Sequence, residues 1–377
     1  MHLHELQTPC LILDRQKLAG NIDTMRRRMA RLGVNLRPHG KTAKNVDIVR
    51  LALQGQSGGI TVSTLKEAEY YFENGIPDIL YAVGIAPVKL ERVARLMKKG
   101  ARITLILDTV EMAEMVARAG HSLGVSFAVL IEIDSDGHRS GVAPQDPELI
   151  DIGRALHEST GTDLTGVMTH AGESYNCRST DQIRSMARQE RDAAVTSAKR
   201  LREDGLPCPV VSVGSTPTAR FAEDLSGVTE ARPGVYMSHD LVMAGLGVCG
   251  IEDIAFSVLA SVIGCRKAKG WVIVDAGWTA LSRDRGTAGQ RVDQGYGVVC
   301  GIDGSVQDDM IVIDTNQEHG IIAQRKGTLF DDAPFALGSN LRILPNHACA
   351  TAAMHDRYWV VDGTTEVVDV WTRINGW

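Results

Sequence analysis

No CxxC occurs in this chain, and its seven cysteines (Cys10, Cys177, Cys208, Cys249, Cys265, Cys300 and Cys349) are odd in number and irregularly spaced. That argues against a zinc ribbon or a disulfide framework and predicts a reducing, cytoplasmic compartment. No cationic and then apolar leader opens the sequence, and the longest apolar stretch, "IAFSVLASVIGC" at 254–265, is too short to span a bilayer. No membrane partner is expected. No GxGxxG fingerprint opens the first helix, which argues against a dinucleotide-binding open sheet. A basic balance is also missing: the net charge is −6, so nucleic acid is not an expected partner. Low-complexity linkers are absent.

What is present is a folded globular composition, 44% hydrophobic and 23% charged, in 377 residues, enough for two domains. From "CLILD" onward, short apolar runs alternate with segments of helical spacing closed by glycine, such as "LKEAEYYFENG" and "PVKLERVARLMKKG". About eight such βα units fit between residues 21 and 250, which predicts a (β/α)8 TIM-type barrel over 21–250. After that the texture changes to short β-rich runs broken by Gly, Asp and Asn, as in "KGWVIVDAGW" and "RYWVVDG". Residues 251–377 are therefore expected to form an antiparallel β domain, which the strand within 1–20 is expected to join.

In a βα barrel, functional groups sit where strands end. "LRPHGKTAKN" places Arg37, His39, Lys41 and Lys44 at such an end. A lysine just past a buried strand can lose solvation, which lowers its pKa and frees the amine for Schiff-base chemistry. Most lysines are solvated charges, and position alone does not choose between Lys41 and Lys44. Arg139, in "DSDGHRSGV", carries five fixed donors suited to a phenolate, phosphate or carboxylate oxygen; a loop salt bridge is its plainer use. His170, in "MTHAGESYN", ends another strand and can stack on a ring, move a proton or serve only structure.

Gly214, Ser215 and Thr216 in "VSVGSTPTA", with Gly234 and Val235 in "ARPGVY", end two consecutive late strands, where N–H groups and hydroxyls can cradle a phosphate. In "PNHACAT", His347 and Cys349 are two apart, so on a strand they share a face and can bind a divalent metal with positions left open. A buried Cys near a structural His is the commoner meaning of an isolated HxC.

Together with "RPHGKTAK", "IEIDSDGHRSGV", "PCPVVSVGSTPTA", "SRDRGTA" and "RILPNHACAT", almost the whole chain resembles the fold-type III pyridoxal-phosphate (PLP) enzymes. Within them it resembles the family of D-threonine aldolase, D-serine dehydratase and D-threo-3-hydroxyaspartate dehydratase. The resemblance implies an alanine-racemase-like barrel with a C-terminal β domain, and a homodimer with shared active sites. It implies that the Schiff-base lysine is Lys41. By position, His170 matches the histidine against the cofactor ring, and Arg139 lies in the segment that reaches the phenolic oxygen. Ser215, Thr216, Gly234 and Val235 match the phosphate cradle. Arg232 matches the arginine that racemases aim at the pyridine nitrogen, a position at which aldolases vary. His347 and Cys349 match the metal pair; Cys favours Zn²⁺, whereas the aldolases are associated with Mn²⁺ or Mg²⁺.

The likeness leans toward the aldolase branch. The expected activity is that of a carbon–carbon aldehyde-lyase on small β-hydroxy D-amino acids. Glycine would leave with glyoxylate from 3-hydroxy-D-aspartate, or with acetaldehyde from D-threonine. The metal would acidify the hydroxyl, a base such as His170 would take its proton, and the cofactor ring would take the electrons. Arg283 and Arg285, in "SRDRGT", are candidates for a second substrate carboxylate, with surface or interface charge as the plainer role. The alternative is a dehydratase of D-threo-3-hydroxyaspartate or D-serine built from the same parts. There Lys41 takes the Cα proton, the metal withdraws the hydroxyl, and a keto acid and ammonia leave. A third reading, a cofactor-carrying regulatory protein, fits less well with an ample second domain that carries PNHAC.

Overall fold

The computed structural model describes residues 1–56, 58–137, 139–326 and 335–377. The chain opens with β1 (Cys10–Asp14) and α1 (Arg15–Arg31). There follow β2 (Asn35–Leu36), α2 (Val46–Leu53), β3 (Ile60–Val62), α3 (Leu65–Glu73), β4 (Asp78–Tyr81), α4 (Leu90–Lys98), β5 (Arg102–Leu107) and α5 (Val110–Leu123). Next come β6 (Phe127–Ile133), α6 (Glu148–His157), β7 (Thr162–Thr169), α7 (Thr180–Glu203), β8 (Val210–Val213), α8 (Thr216–Phe221) and β9 (Glu230–Ala231). Many of these helices start where a side-chain oxygen can cap them. Asn45, Thr64, Thr109, Ser179 and Ser215 each accept a backbone N–H of the first turn, a bond whose loss costs about 1 kcal/mol.

By its contacts the chain divides into two compact units, one formed by Thr24–Gly234 with Gly376–Trp377, the other by Met1–Asp23 with Val235–Asn375. In the first unit, eight strands form a parallel sheet in the order β2-β9-β8-β7-β6-β5-β4-β3. A parallel bridge between His39 and Thr61 joins the two ends of that order. This is the (β/α)8 barrel expected from the alternating pattern. Leu80, Ile106, Leu130 and Met168, on four adjacent strands, form one cluster of its core.

The second unit contains α9 (Leu241–Gly245), β10 (Phe256–Arg266), β11 (Trp271–Val274), α10 (Trp278–Leu281), β12 (Gly297–Cys300), β13 (Val306–Thr315) and β14 (Gly320–Gln324). It ends with β15 (Asn340–Pro345), α11 (Ala348–Ala352), β16 (Arg357–Val361) and β17 (Val367–Thr372). Its sheet runs β11-β14-β13-β12-β15-β10-β1-β16-β17, and a further β10–β11 pairing closes six of these strands into a ring. β1 lies antiparallel to β10 and parallel to β16. Leu241, Ile254, Val298, Cys300, Ile311 and Leu344 fill the core on one side.

The units divide at residue 234, earlier than the boundary near 250 expected from sequence texture. Residues 235–253 are tied into the second unit by hydrogen bonds that no hydrophobic pattern displays. Asn21 Nδ2 donates to the carbonyls of Met237 (3.1 Å) and Asp253 (2.8 Å), and Ala255 N–H donates to Ser238 O at 2.8 Å.

Candidate functional site

The first motif leaves β2 at Leu36. Arg37 and His39 donate their N–H groups to Ala231 and Pro233 carbonyls (2.9 Å each), and Gly40 N–H reaches Thr61 O at 2.8 Å. The segment is therefore stitched between the continuations of β9 and β3. Lys41 follows on a turn, with an exposed side chain. It is not the desolvated amine expected, because the chain leaves the sheet one residue earlier. Its N–H donates to His39 Nδ1 at 3.3 Å.

Lys44 is used differently. It takes a left-handed φ of 45°, and its Nζ lies 3.5 Å from Oε1 of Glu67, whose side chain is fully buried. Burial pushes the Glu67 carboxyl up and Lys44 pulls it back. Lys41, by contrast, makes no ion pair among the described residues.

His170 follows β7 directly. Its Nδ1–H donates to the Gly214 carbonyl, which leaves Nε2 without a proton. Burial, followed by the cations of Lys41, Arg232 and Arg139, lowers its pKa to about 3. His39 is held well below its ordinary value by burial and by Lys41, Arg232 and His170. Lys41, Arg139 and Arg232 thus all lie within electrostatic reach of His170. Arg232 is buried; its Nε donates to Ser212 Oγ at 2.6 Å and an Nη donates to Thr169 O. Ser212 in turn donates to Glu230 Oε1 (2.7 Å), and Arg37 bridges Glu230 and Asp78 at 2.8 Å each. Arg139 is exposed on the loop after β6 and opposes the upward push of burial on the Glu132 carboxyl.

Beside this cluster lie the late-strand loops. Ser215 caps α8: its Oγ accepts Thr218 N–H at 3.2 Å and is shared with the hydroxyls of Ser174 and Thr218 at 2.9 Å. The Ser215 side chain is therefore already committed. Thr216 Oγ1 is buried with no partner. A Cβ on Gly214 would meet Arg232 N at 2.9 Å, and one on Gly234 would meet His39 Cβ at 3.0 Å. Both positions demand the absence of a side chain. An orphan hydroxyl amid side-chain-free backbone suits phosphate oxygens, so the residues present fit a phosphate-bearing cofactor. Val235 is buried immediately after Gly234, at the start of the second unit.

In the second unit, His347 and Cys349 are not on a strand as expected. β15 stops at Pro345, and Asn346 donates through Nδ2 to Thr287 Oγ1 and Gly295 O (2.7 Å each), which turns the chain. His347 becomes the N-cap of α11, and Cys349 sits in its first turn. The two still meet, through a side-chain hydrogen bond. Asp284 Oδ2 lies 2.5 Å from His347 Nδ1. Burial alone would lower the His347 pKa, but Asp284 and Cys349 outweigh it and push it up to about 11. Asp240, buried, accepts Met243 N–H and Ala348 N–H at 2.9 Å each, and so fixes the start of α11.

With Nδ1 held by a carboxylate, Nε2 is the nitrogen left for a metal, as in carboxylate–histidine–zinc arrangements. Nitrogen and sulfur together fit Zn²⁺. Among the described residues no group of three or more ligand-type side chains assembles. Arg283 lies 5.0 Å from the Trp278 ring centre, and Arg285 pairs with Asp293 and lies 5.3 Å from the Tyr296 ring centre.

Sequence reasoning passed over Asp284, though it sits between the two arginines it singled out. It also passed over Glu132, a charge within the apolar run "VLIEI", and Glu190, which nothing in its helical context marks.

The model of the alanine racemase N-terminal domain matches residues 13–241, and that of a putative serine dehydratase domain matches 255–361. The chain is 50% identical to the D-threo-3-hydroxyaspartate dehydratase of Delftia sp. (strain HT23), over 99% of this chain and 98% of that protein. It is 30% identical to the D-serine dehydratase of Dictyostelium discoideum, over 100% and 98%. It is 29% identical to the 3-hydroxy-D-aspartate aldolase of Paracoccus denitrificans (strain Pd 1222), over 97% and 91%. Among solved structures, the Delftia dehydratase superposes with a TM-score of 0.97 at 49% identity, with all of both chains covered. A cysteine-to-alanine mutant of a D-threo-3-hydroxyaspartate dehydratase in its metal-free form gives 0.98, at the same identity and coverage. These findings overturn the expected carbon–carbon aldehyde-lyase. Dehydratases are lyases of the carbon–oxygen type, and the dehydratase alternative is the better supported reading.

Proposed function

Since the chain belongs to the fold-type III PLP family in which a serine-dehydratase-type domain follows an alanine-racemase-type barrel, we propose that it dehydrates β-hydroxy D-amino acids. D-threo-3-hydroxyaspartate is the first candidate substrate and D-serine the second; a keto acid and ammonia are the products. The observation that carries this reading is the 50% identity, end to end, with the Delftia dehydratase.

PLP would be held by Lys41, with its phosphate at Gly214–Thr216 and Gly234–Val235 and its ring against His170, and would supply an electron sink. A divalent metal at His347 and Cys349, Zn²⁺ by its donor set, supplies Lewis acidity for the departing hydroxyl. The remaining work falls to the chain. Lys41 Nζ, exposed in this structure, would take the Cα proton. His170, whose pKa is lowered by its burial, would lie against the ring as a neutral imidazole and orient it. Arg232 is anchored through Ser212 and Thr169 and still has N–H donors for a ring nitrogen. Asp284 fixes the His347 ring in one tautomer. Arg139 is the candidate for the cofactor's phenolic oxygen. A homodimer is the assembly we propose, as the resemblance implies. Among the described residues no helix is long and apolar enough to cross a membrane.

The test is product analysis. The enzyme, with PLP and Zn²⁺, is incubated with D-threo-3-hydroxyaspartate, D-serine and D-threonine, with and without chelator. Ammonia and keto acid, lost on chelation, are expected; glycine without ammonia would refute the reading.

A further inference from the structure

One buried carboxylate joins three elements of the barrel unit. Glu190, on α7, is 2% exposed. Its Oε1 accepts Ala171 N–H at 2.9 Å and Gly214 N–H at 3.1 Å, and its Oε2 accepts the Thr218 hydroxyl at 2.6 Å. Ala171 directly follows His170, Gly214 opens the phosphate loop after β8, and Thr218 lies in the first turn of α8. His170 in turn donates to the carbonyl of that same Gly214. Both faces of one peptide loop are therefore fixed, one by the imidazole and one by the carboxylate. Ser215, bonded to Thr218 and Ser174, continues the frame.

We propose that Glu190 is a positioning residue for the cofactor: it holds the His170 loop and the Gly214–Thr216 phosphate loop at a fixed separation. This rests on the PLP reading given above. Two N–H groups and a hydroxyl converge on Glu190 where solvent cannot replace it. A buried N–H left without an acceptor is costly, so loss of Glu190 would force both loops to move. A charge is not needed for this role. In Glu190→Gln the side-chain carbonyl could accept both N–H groups while the amide donates to Thr218, whose hydroxyl is free to donate to Ser215.

The experiment titrates apoprotein with PLP and reads the visible band of the Lys41-bound cofactor, with Zn²⁺ affinity as the second readout. Glu190→Met preserves volume and removes every acceptor. It should weaken PLP binding about tenfold or more and leave Zn²⁺ affinity unchanged, whereas general damage would move both. Glu190→Gln should stay within about threefold of the wild type. PLP affinity unchanged in Glu190→Met, or lost equally in Glu190→Gln, overturns the proposal. If Glu190→Met does not fold, Thr218→Val decides: PLP binding about threefold weaker is expected, and an unchanged value overturns it. Failure of the wild type itself to bind PLP would count against the proposed function instead, so the two failures are distinct.

Discussion

Replacing Asp284 tests the proposed metal centre without touching either proposed ligand. Its carboxylate lies 2.5 Å from His347 Nδ1, and Asp284→Ala would free the ring to turn and to carry its proton on either nitrogen. A hydrogen bond to a charged group contributes about 1.5–3 kcal/mol when well shielded. Here the two side chains keep 39% and 40% of their surface, so screening places the loss near the low end. About 1.4 kcal/mol, or tenfold in Zn²⁺ affinity, is expected, at the lower edge of the range for groups that orient metal ligands. Asp284→Asn keeps an acceptor for the Nδ1–H and should lose only about threefold. The assay titrates apoprotein with Zn²⁺ against a chromophoric chelator, then restores activity with excess metal. Zn²⁺ affinity in Asp284→Ala within about twofold of the wild type would refute the reasoning. So would an equal loss of PLP affinity, which would signal general damage.

Lys41→Ala should abolish both the visible cofactor band and turnover, whereas Lys44→Met should keep the band and destabilise the protein by about 1–3 kcal/mol in urea unfolding, because Glu67 is left buried without its cation. A band that survives Lys41→Ala would overturn the site. For His170 the folded pKa, about 3, lies below the ordinary 6.5. The unfolded chain therefore binds the proton more readily, so the contribution of neutral His170 is complete above about pH 6.5 and is lost as pH falls below it. Relative to His170→Gln, wild-type apoprotein should lose at most about 1.4 kcal/mol per pH unit between pH 6 and 4; parallel stability curves would reject the shift. Gly214→Ala should weaken PLP binding in the same titration, since its Cβ would come within 2.9 Å of Arg232 N.

Much of the architecture was legible because periodicity carries it. Glycine-closed helices alternating with apolar strands specify a barrel, and the loss of that rhythm marks the second domain. What could not be read was the use of polar side chains at a distance. Asn21 reaches across more than 200 positions to hold 237 and 253, and so shifts the boundary. The HxC pair was placed on a strand but lies at the start of a helix, after a turn at Asn346, which bonds to Thr287 and Gly295. Lys41 and Lys44 look alike in the sequence; Glu67, more than 20 positions on, is what separates them. The choice between lyase types was not legible in the site motifs; the end-to-end identity, 50% with the dehydratase against 29% with the aldolase, is what favours one.

β1 has a consequence for how the molecule is made. All five of its residues are buried in the finished fold, yet its neighbours are 256–259 on one side and 359–361 on the other. Translation runs from the amino end, so this segment emerges long before either of its neighbours. A nascent product stalled before residue 256 carries an unmatched apolar edge, open to any other edge it meets. Only a product translated past residue 361 can cover both of its edges.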